Sequence, residues 1–375
     1  MSVRHVVVVG GSTAGATTMR ELRGRGYEGR ITLLDPEDGT NRPPLSKAVL
    51  ADPGNDATVG MDHRGLDVEH VRGAAVGLDP SARVVIAEDG ERHHYDALVV
   101  ASGARARRIA APGQRGEAVL RTLADARRLR ERLTTAARVI VVGGGFLGME
   151  VATAAARAGA EVTVVDVEAP LRRHLGPYLA DLLVARAAAI GIGFRRSAVR
   201  LHADPVSGVE LDDGTVLHAD VVVSCVGDLP ETGWLGTSAA VTAHGVLVDR
   251  AARTAVPHVW GAGDVTCHAQ GGSARRRPFW ANAVTQGRVA AASILGLPID
   301  APIVDDYFWT DVAGTPLKAV GRLPPGGAPR VLEDAGGGDG VLAWGDEAVV
   351  AVGVRRPAPR LRRMLSELGQ QKPPA

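Results

Sequence analysis

The residues best placed to do chemistry are Gly143, Gly145, Gly148 and Asp166, in the run RVIVVGGGFLGMEVATAAARAGAEVTVVD at 138–166. An apolar run, Val139–Val142, enters the glycine turn, and an alanine-rich segment with helical spacing follows. A second apolar run, Val162–Val165, then closes at Asp166. This is a β-α-β pattern carrying G-x-G-x-x-G, with an acid about 20 residues on, as a dinucleotide site requires. Gly143 makes the tight turn, Gly145 lets backbone approach a pyrophosphate, and Gly148 lets the helix sit close to the strand. The helix N-terminus then offers amides and a positive dipole end to the phosphates. Asp166 can accept both ribose hydroxyls and repels a 2′-phosphate, so NADH is expected over NADPH, with Arg172 and Arg173 as nearby counterweights.

The chain opens on a second copy of the pattern. Val6–Val9 enters Gly10-Gly11-Ser12-Thr13-Ala14-Gly15, a helix is expected to about Arg23, and Ile31–Leu34 ends at Asp35. Ser12 replaces the middle glycine; it is small, and its hydroxyl can itself bond a phosphate. The ribose acid here is either Asp35 or Glu37. Two such units suggest two dinucleotides, for which FAD and a nicotinamide nucleotide are the usual pair.

Other charged groups need weighing one at a time. In Asn41-Arg42-Pro43-Pro44-Leu45-Ser46-Lys47, the prolines fix an extended turn with Arg42 and Lys47 on either side. The only lysines are Lys47, Lys318 and Lys372 in a chain whose cations are otherwise arginine, which favours a ligand-facing role for Lys47. Glu150 can compensate the dipole in the first turn of its helix. Asp264, in Gly261-Ala262-Gly263-Asp264-Val265, is either a helix cap or a carboxylate aimed at a ligand hydroxyl. Ser102-Gly103 permits close approach of backbone to a ligand, and a tight exit turn explains it equally well.

These residues must be positioned by strands and helices, and the sequence supplies both. Strands are expected at Val68–Val71, Val84–Ile86, Ala97–Ala101, near Phe194, at Val209–Leu211, Val216–Leu217, Asp220–Val226, Val246–Val248 and Val349–Val354. Helices are expected at Leu123–Leu133, Pro177–Ala189, Trp280–Leu295 and in a C-terminal segment with Leu361, Met364, Leu365 and Leu368 on one face. The fold class is α/β: two doubly wound, Rossmann-like domains, the second inserted in the first, plus a small C-terminal α+β domain. The boundaries are 1–112 with 244–300, then 113–243, then 301–375. A length of 375 residues accommodates this, and a formal charge of +1 gives no global field for nucleic acid or a membrane surface. The apolar runs are far shorter than a membrane span. Cys225 and Cys267 make no C-x-x-C and no zinc spacing, and Cys225 reads as a small core residue. A cytoplasmic protein, monomeric or weakly dimeric, is expected.

Taken together, RPPLSK at 42–47, YDALVVASGA at 95–104, GGGFLGMEVA at 143–152, GAGDV at 261–265, WANAVTQGRVAA at 280–291 and YFWTD at 307–311 resemble one family. It is the FAD-dependent ferredoxin reductases of the putidaredoxin, rubredoxin and rhodocoxin reductase type, within the glutathione-reductase-like superfamily. The resemblance implies that the first unit holds the ADP half of FAD through Gly10, Ser12, Ala14, Gly15 and Asp35 or Glu37. It places Arg42, Lys47, Gly263 and Asp264 at the pyrophosphate, ring and ribityl chain, and Val76 at the adenine. Ala101, Ser102, Gly103 and Trp280 join the flavin contacts, and Trp309 lies beside the isoalloxazine. For NAD(H) it implies Gly143, Gly145, Phe146, Leu147, Gly148, Asp166 and Gly227. Lys47, Glu150 and Trp309 are the implied catalytic residues, with Glu150 on the nicotinamide side and pairing with Lys47. Departures are Ser12, Asp35, a short loop from Asp35 to Arg42, Pro278-Phe279, Val312 and an abbreviated third domain.

The implied activity is an NADH:ferredoxin oxidoreductase. Disulfide reductases of the superfamily place a cysteine pair where this chain has Asn41–Lys47. Electrons are therefore expected to pass from NADH through FAD to an external [2Fe–2S] ferredoxin or rubredoxin, and on to an oxygenase such as a cytochrome P450. The alternatives are an NADH oxidase or quinone reductase, and a redox-sensing flavoprotein like apoptosis-inducing factor. For docking an acidic carrier, the candidate basic clusters are Arg275–Arg277 and Arg355, Arg356, Arg360, Arg362 and Arg363.

Overall fold

The computed structural model describes residues 3–37, 39–238, 240–270 and 273–370, so Lys372 lies outside them. The chain forms two compact units. Unit 1 comprises Met1–Arg42, Ala57–Arg105 and Asp228–Asp305; unit 2 comprises Pro43–Asp56, Ala106–Gly227 and Asp306–Ala375.

The core of unit 1 is a five-stranded parallel sheet in the order Val259–Gly261, Ala97–Val100, His5–Val9, Arg30–Leu34, Glu69–Val71. Its central strands are unbroken apolar runs because helices or other strands cover both faces, as parallel sheets require. The helix Thr13–Gly24 presents Met19 and Leu22 to Ile31 and Leu33. The helix Trp280–Ile294 crosses it closely at Gly287, where a Cβ would come within 2.7 Å of the Ala14 carbonyl oxygen. An antiparallel meander, Ala75–Asp79, Val84–Ala87 and Arg92–His94, follows the nucleotide unit.

Unit 2 repeats the plan. Its parallel sheet runs Ile192–Arg196, Glu161–Asp166, Arg138–Val142, Val221–Ser224, and its meander is Val199–His202, Gly208–Leu211 and Val216–His218. The helix Leu123–Leu133 starts on a capping box between Thr122 and Asp125. The helix expected from Pro177 begins earlier, spanning Arg172–Ala189 with a break at Gly176 (φ 71°). Pro177 then restarts it, since proline suits a first helical turn. The C-terminal region is a five-stranded antiparallel sheet in the order Phe308–Val312, Thr315–Gly321, Ala348–Val352, Asp339–Trp344, Arg330–Gly336. The helix Ala358–Gln370 buries Leu361 completely and lays Met364, Leu365 and Leu368 against that core. The antiparallel pair Thr266–Gln270 and Ser273–Arg275 was not expected from the sequence.

One ion-pair node fixes the Pro43–Asp56 segment within unit 2. Asp56 takes Arg130 at 2.9 Å and Arg127 at 2.7 Å. The two guanidiniums pull its pKa down to about 2. Because the folded value lies below the ordinary carboxylate value of about 3.9, the stabilisation is complete above that pH and disappears as pH falls toward 2. Asp56→Asn should therefore lower stability in urea at pH 6, with the gap to the parent closing by pH 2. A gap independent of pH counts against the pair.

Candidate functional site

The two glycine turns superimpose in their logic. In unit 1, Gly10 takes φ 101°, and a Cβ there would strike the Ala101 carbonyl; a Cβ on Gly15 would strike the Gly10 carbonyl oxygen. In unit 2, Gly143 takes φ 103° against the Cys225 carbonyl, and a Cβ on Gly148 would strike the Gly143 oxygen. The middle positions differ: Ser12 (φ −73°, ψ −161°) and Gly145 (φ −73°, ψ −174°) are both extended, so backbone geometry permits serine there.

Each turn is braced by the acid at the end of its second strand. Asp35 Oδ2 accepts from the Gly11 N–H and Oδ1 from the Glu37 N–H at 2.8 Å. Asp166 Oδ2 accepts from the Gly144 N–H at 2.6 Å and Oδ1 from the Glu168 N–H at 3.1 Å. Asp35 thus stands where Asp166 stands, whereas Glu37 accepts from the Thr40 hydroxyl. Neither Ser12 nor Gly145 caps its helix through a side chain, and the Ser12 hydroxyl donates to the Thr40 carbonyl at 2.6 Å. The first-turn amides are therefore left for an anion, the arrangement that suits a pyrophosphate. At Gly145 the nearest atom a Cβ would meet is His174 Nε2, at 3.7 Å, so glycine there is not demanded by the protein's own packing. Gly145 fits a turn kept open for a ligand.

The remaining expected contacts divide between the units. In unit 1, Gly263 approaches Ala14 so closely that a Cβ would lie 2.9 Å from the Ala14 Cβ. Its N–H donates to Gln286 Oε1 at 2.7 Å, and Gln286 Nε2 lies 2.9 Å from His268 Nε2. The Asp264 carbonyl accepts from Arg276, whose guanidinium also pairs with Asp228 at 2.7 Å. Just past its strand the Ala101 N–H donates to the Val9 carbonyl, the Ser102 hydroxyl donates to the Glu231 carbonyl, and Gly103 takes φ 72°. Val76 is 54% exposed, Trp280 opens its helix exposed, and Arg42 is half-buried. In unit 2, Phe146 packs on Phe308 (4.1 Å between centroids) and His174 (5.0 Å). Leu147 is exposed at the turn, and Gly227 takes φ 95°.

Unit 2 also brings Lys47 and Glu150 together. Lys47 Nζ donates to Glu150 Oε2 at 2.8 Å, and Glu150 is 7% exposed. The Ser46 hydroxyl donates to the same oxygen at 2.5 Å, and the Thr310 hydroxyl donates to Oε1 at 2.5 Å. Ser46 and Thr310 are themselves buried, so the carboxylate is held by three donors from two distant segments. Trp309, next to Thr310 in its strand, stacks on Tyr307 with ring planes 19° apart. The dipole role for Glu150 is displaced: its side chain is an internal ion-pair partner.

Sequence reasoning missed Ser46 and Thr310, although both lie inside the RPPLSK and YFWTD segments. It missed His63, His174 and His268, which no spacing singles out. Three arginines of the candidate docking clusters are already paired within the chain. Arg276 is consumed by Asp228 and Asp264, and Arg356 and Arg360 both pair with Glu333 at 2.6 Å. Asp228 answers Arg276, and the single acid Glu333 is shared by Arg356 and Arg360.

Residues 4–287 match the family model described as pyridine nucleotide-disulphide oxidoreductase. The chain belongs to that family. As a pyridine nucleotide oxidoreductase it is an enzyme that uses FAD and NAD(H), and its α/β architecture matches its relatives. It is 34% identical over 335 residues to a rubredoxin-NAD(+) reductase from Pseudomonas putida, covering 85% of this chain and 86% of that one. It is likewise 34% identical over 351 residues to the ferredoxin–NAD(+) reductase component of the biphenyl dioxygenase system from Paraburkholderia xenovorans (strain LB400), covering 90% and 86%. Among solved structures, the covalent putidaredoxin reductase–putidaredoxin complex matches with a TM-score of 0.88 at 25% identity, over 99% of this oxidoreductase and 94% of the other chain. Despite the family's name, both cysteines of this oxidoreductase are free and buried.

Proposed function

We propose that the chain passes electrons from NADH through FAD to a small external iron carrier, a [2Fe–2S] ferredoxin or a rubredoxin, that serves an oxygenase. The carrying observation is the state of the thiols. Burial pushes the Cys225 pKa up to about 12 and raises that of Cys267, so neither supplies the thiolate that an internal disulfide relay needs. The names of the relatives above point to the same class of acceptor. The reading goes with FAD on 1–112 and 244–300, NAD(H) on 113–243, and partner contact on 301–375. It also goes with a cytoplasmic protein, monomeric or weakly dimeric; among the described residues, no helix is long and apolar enough to cross a membrane.

Bound FAD supplies the conversion between a two-electron donor and a one-electron acceptor. The chain's residues bind and orient. Gly10, Ser12, Ala14 and Gly15 cradle the ADP half, and Asp35 takes its ribose. Arg42, Val76, Ala101, Ser102, Gly103, Gly263, Asp264 and Trp280 complete the contacts. Gly143, Gly145, Phe146, Leu147, Gly148 and Gly227 hold NADH, and Asp166 reads its adenosine ribose. Lys47, held by Glu150, would offer a positive charge to the flavin, and Trp309 would join its contacts.

The test is NADH-driven reduction of a purified acidic [2Fe–2S] ferredoxin. Sustained ferredoxin reduction that greatly exceeds oxygen consumption is expected, with NADH preferred to NADPH and that ratio reduced in Asp166→Ala. Oxygen as the main acceptor, or a long-lived reduced complex that does not turn over, rejects the reading.

A further inference from the structure

Unit 1 contains a polar side chain that the contacts above leave unused. His63 is half-buried, and both of its ring nitrogens are shielded from water without a hydrogen-bond partner. Buried polar atoms in folded proteins are paired as a rule, so an imidazole orphaned at both ends calls for an explanation. Its position supplies one. Nε2 lies 3.4 Å from the point a Cβ on Gly11 would occupy and 2.9 Å from that on Gly39. The same Gly11 point is 2.8 Å from Asp35 Oδ2. Glycine at both positions keeps the ring up against the first nucleotide turn, beside the acid that closes it. An open cleft of about 480 Å³, lined by Met61, Asp62, His63, Arg64 and His70, leads there.

The chemistry of the two side chains is complementary. The charges facing His63 are Arg20 and His70, which oppose its protonation, and Asp35 and Asp62, which favour it. Burial outweighs them and pushes the pKa below the ordinary histidine value. Near neutral pH the ring is therefore an uncharged donor at one nitrogen and an acceptor at the other. Asp35 only accepts. A ribose hydroxyl has one proton to give and lone pairs to fill, which matches a carboxylate on one side and an imidazole N–H on the other.

We propose that His63 is a recognition residue for the adenosine half of FAD, donating from a ring nitrogen to a ribose hydroxyl whose proton Asp35 accepts. This rests on the reading that the first glycine turn holds the ADP half of FAD. The pairing satisfies one of the two orphaned ring nitrogens, and only in the loaded protein, so His63 favours the cofactor-bound state over the empty one.

Removal of the flavin from the full chain, followed by retitration with FAD, ADP and FMN, tests it. ADP probes the adenosine half alone, and FMN the flavin half alone. His63→Leu should weaken FAD and ADP by about tenfold, roughly one lost hydrogen bond, and leave FMN unchanged. The cofactor-free melting temperature of His63→Leu should stay level or rise, because an apolar group replaces an unpaired polar one. His63→Gln, with a donor and an acceptor, should recover most of the FAD affinity. Unchanged FAD and ADP affinity in His63→Leu overturns the proposal. So does a uniform loss for all three ligands with a lower cofactor-free melting temperature, which marks a structural role. A parent chain that takes FMN but neither FAD nor ADP removes the underlying reading as well.

Discussion

Gly148→Ala is expected to abolish folding of unit 2, whereas Gly145→Ala, three residues away, should fold and lose NADH. The difference lies in what a single methyl group meets. At Gly148 it collides with the Gly143 carbonyl, a backbone atom pinned by the Gly143 N–H bond to Val165. Helix and strand would have to separate, at a cost of about 4 kcal/mol or more, comparable with the whole stability of a typical domain. At Gly145 the added methyl finds only His174 Nε2 at 3.7 Å, an ordinary contact. The change there costs about 1 kcal/mol through poorer capping, but the methyl stands where a pyrophosphate must approach. Soluble yield and thermal melting report the first effect, and NADH titration of the folded variant reports the second. A well-folded Gly148→Ala, or a Gly145→Ala that binds NADH as the parent does, contradicts the account.

The second large effect concerns Lys47 and Glu150. Glu150→Ala should destabilise the protein by about 3 kcal/mol, the usual result of removing one partner from a buried pair. It leaves the Lys47 ammonium, 28% exposed, with only the Pro43 carbonyl at 3.3 Å, and it strands the Ser46 and Thr310 hydroxyls. Lys47→Met should be milder for stability, because Glu150 keeps both hydroxyl donors. It should nonetheless slow NADH-driven flavin reduction and lower the flavin potential with FAD still bound. The double variant Lys47→Met/Glu150→Leu separates the two roles, since an apolar pair can replace a buried ion pair without loss of stability. Its melting temperature should recover in part, the Ser46 and Thr310 hydroxyls still lacking their acceptor, while reduction stays slow. Parent-like reduction in the double variant would show that the pair is only a strut.

The elements that position the nucleotides were readable because strand, turn, helix and acid are contiguous in sequence and locally constrained. Glycines with positive φ and acids at strand ends leave marks that survive without a structure. Lys47 with Glu150 was legible only through the RPPLSK and GGGFLGMEVA segments, since nothing local links residues 103 positions apart. The hydroxyls of Ser46 and Thr310 left no mark, because serine and threonine are common and their partner lies in a different segment. His63 was invisible for the same reason: its meaning comes from Gly11, Gly39 and Asp35 folding around it. The partners of the arginine runs were hidden in the same way. Nothing local to Arg276, Arg356 or Arg360 announces Asp228 or Glu333.

Asp166 carries a consequence for how such an enzyme could change its coenzyme. Its two oxygens hold the Gly144 and Glu168 amides, so the side chain proposed to discriminate against a 2′-phosphate also keeps the turn in shape. Deleting the charge to admit NADPH would also loosen the loop that grips the diphosphate, and an asparagine restores only one acceptor. Drift toward NADPH by way of Asp166 alone thus passes through a poorer binder of either coenzyme. The less obstructed route keeps the acid and frees a neighbouring cation. Arg173 is occupied by Glu168 and Arg172 by Asp181, so loss of either acid would release a guanidinium a few residues beyond Asp166. On the proposed reading of Asp166, coenzyme choice in this chain is then more evolvable at positions 168 and 181 than at Asp166 itself.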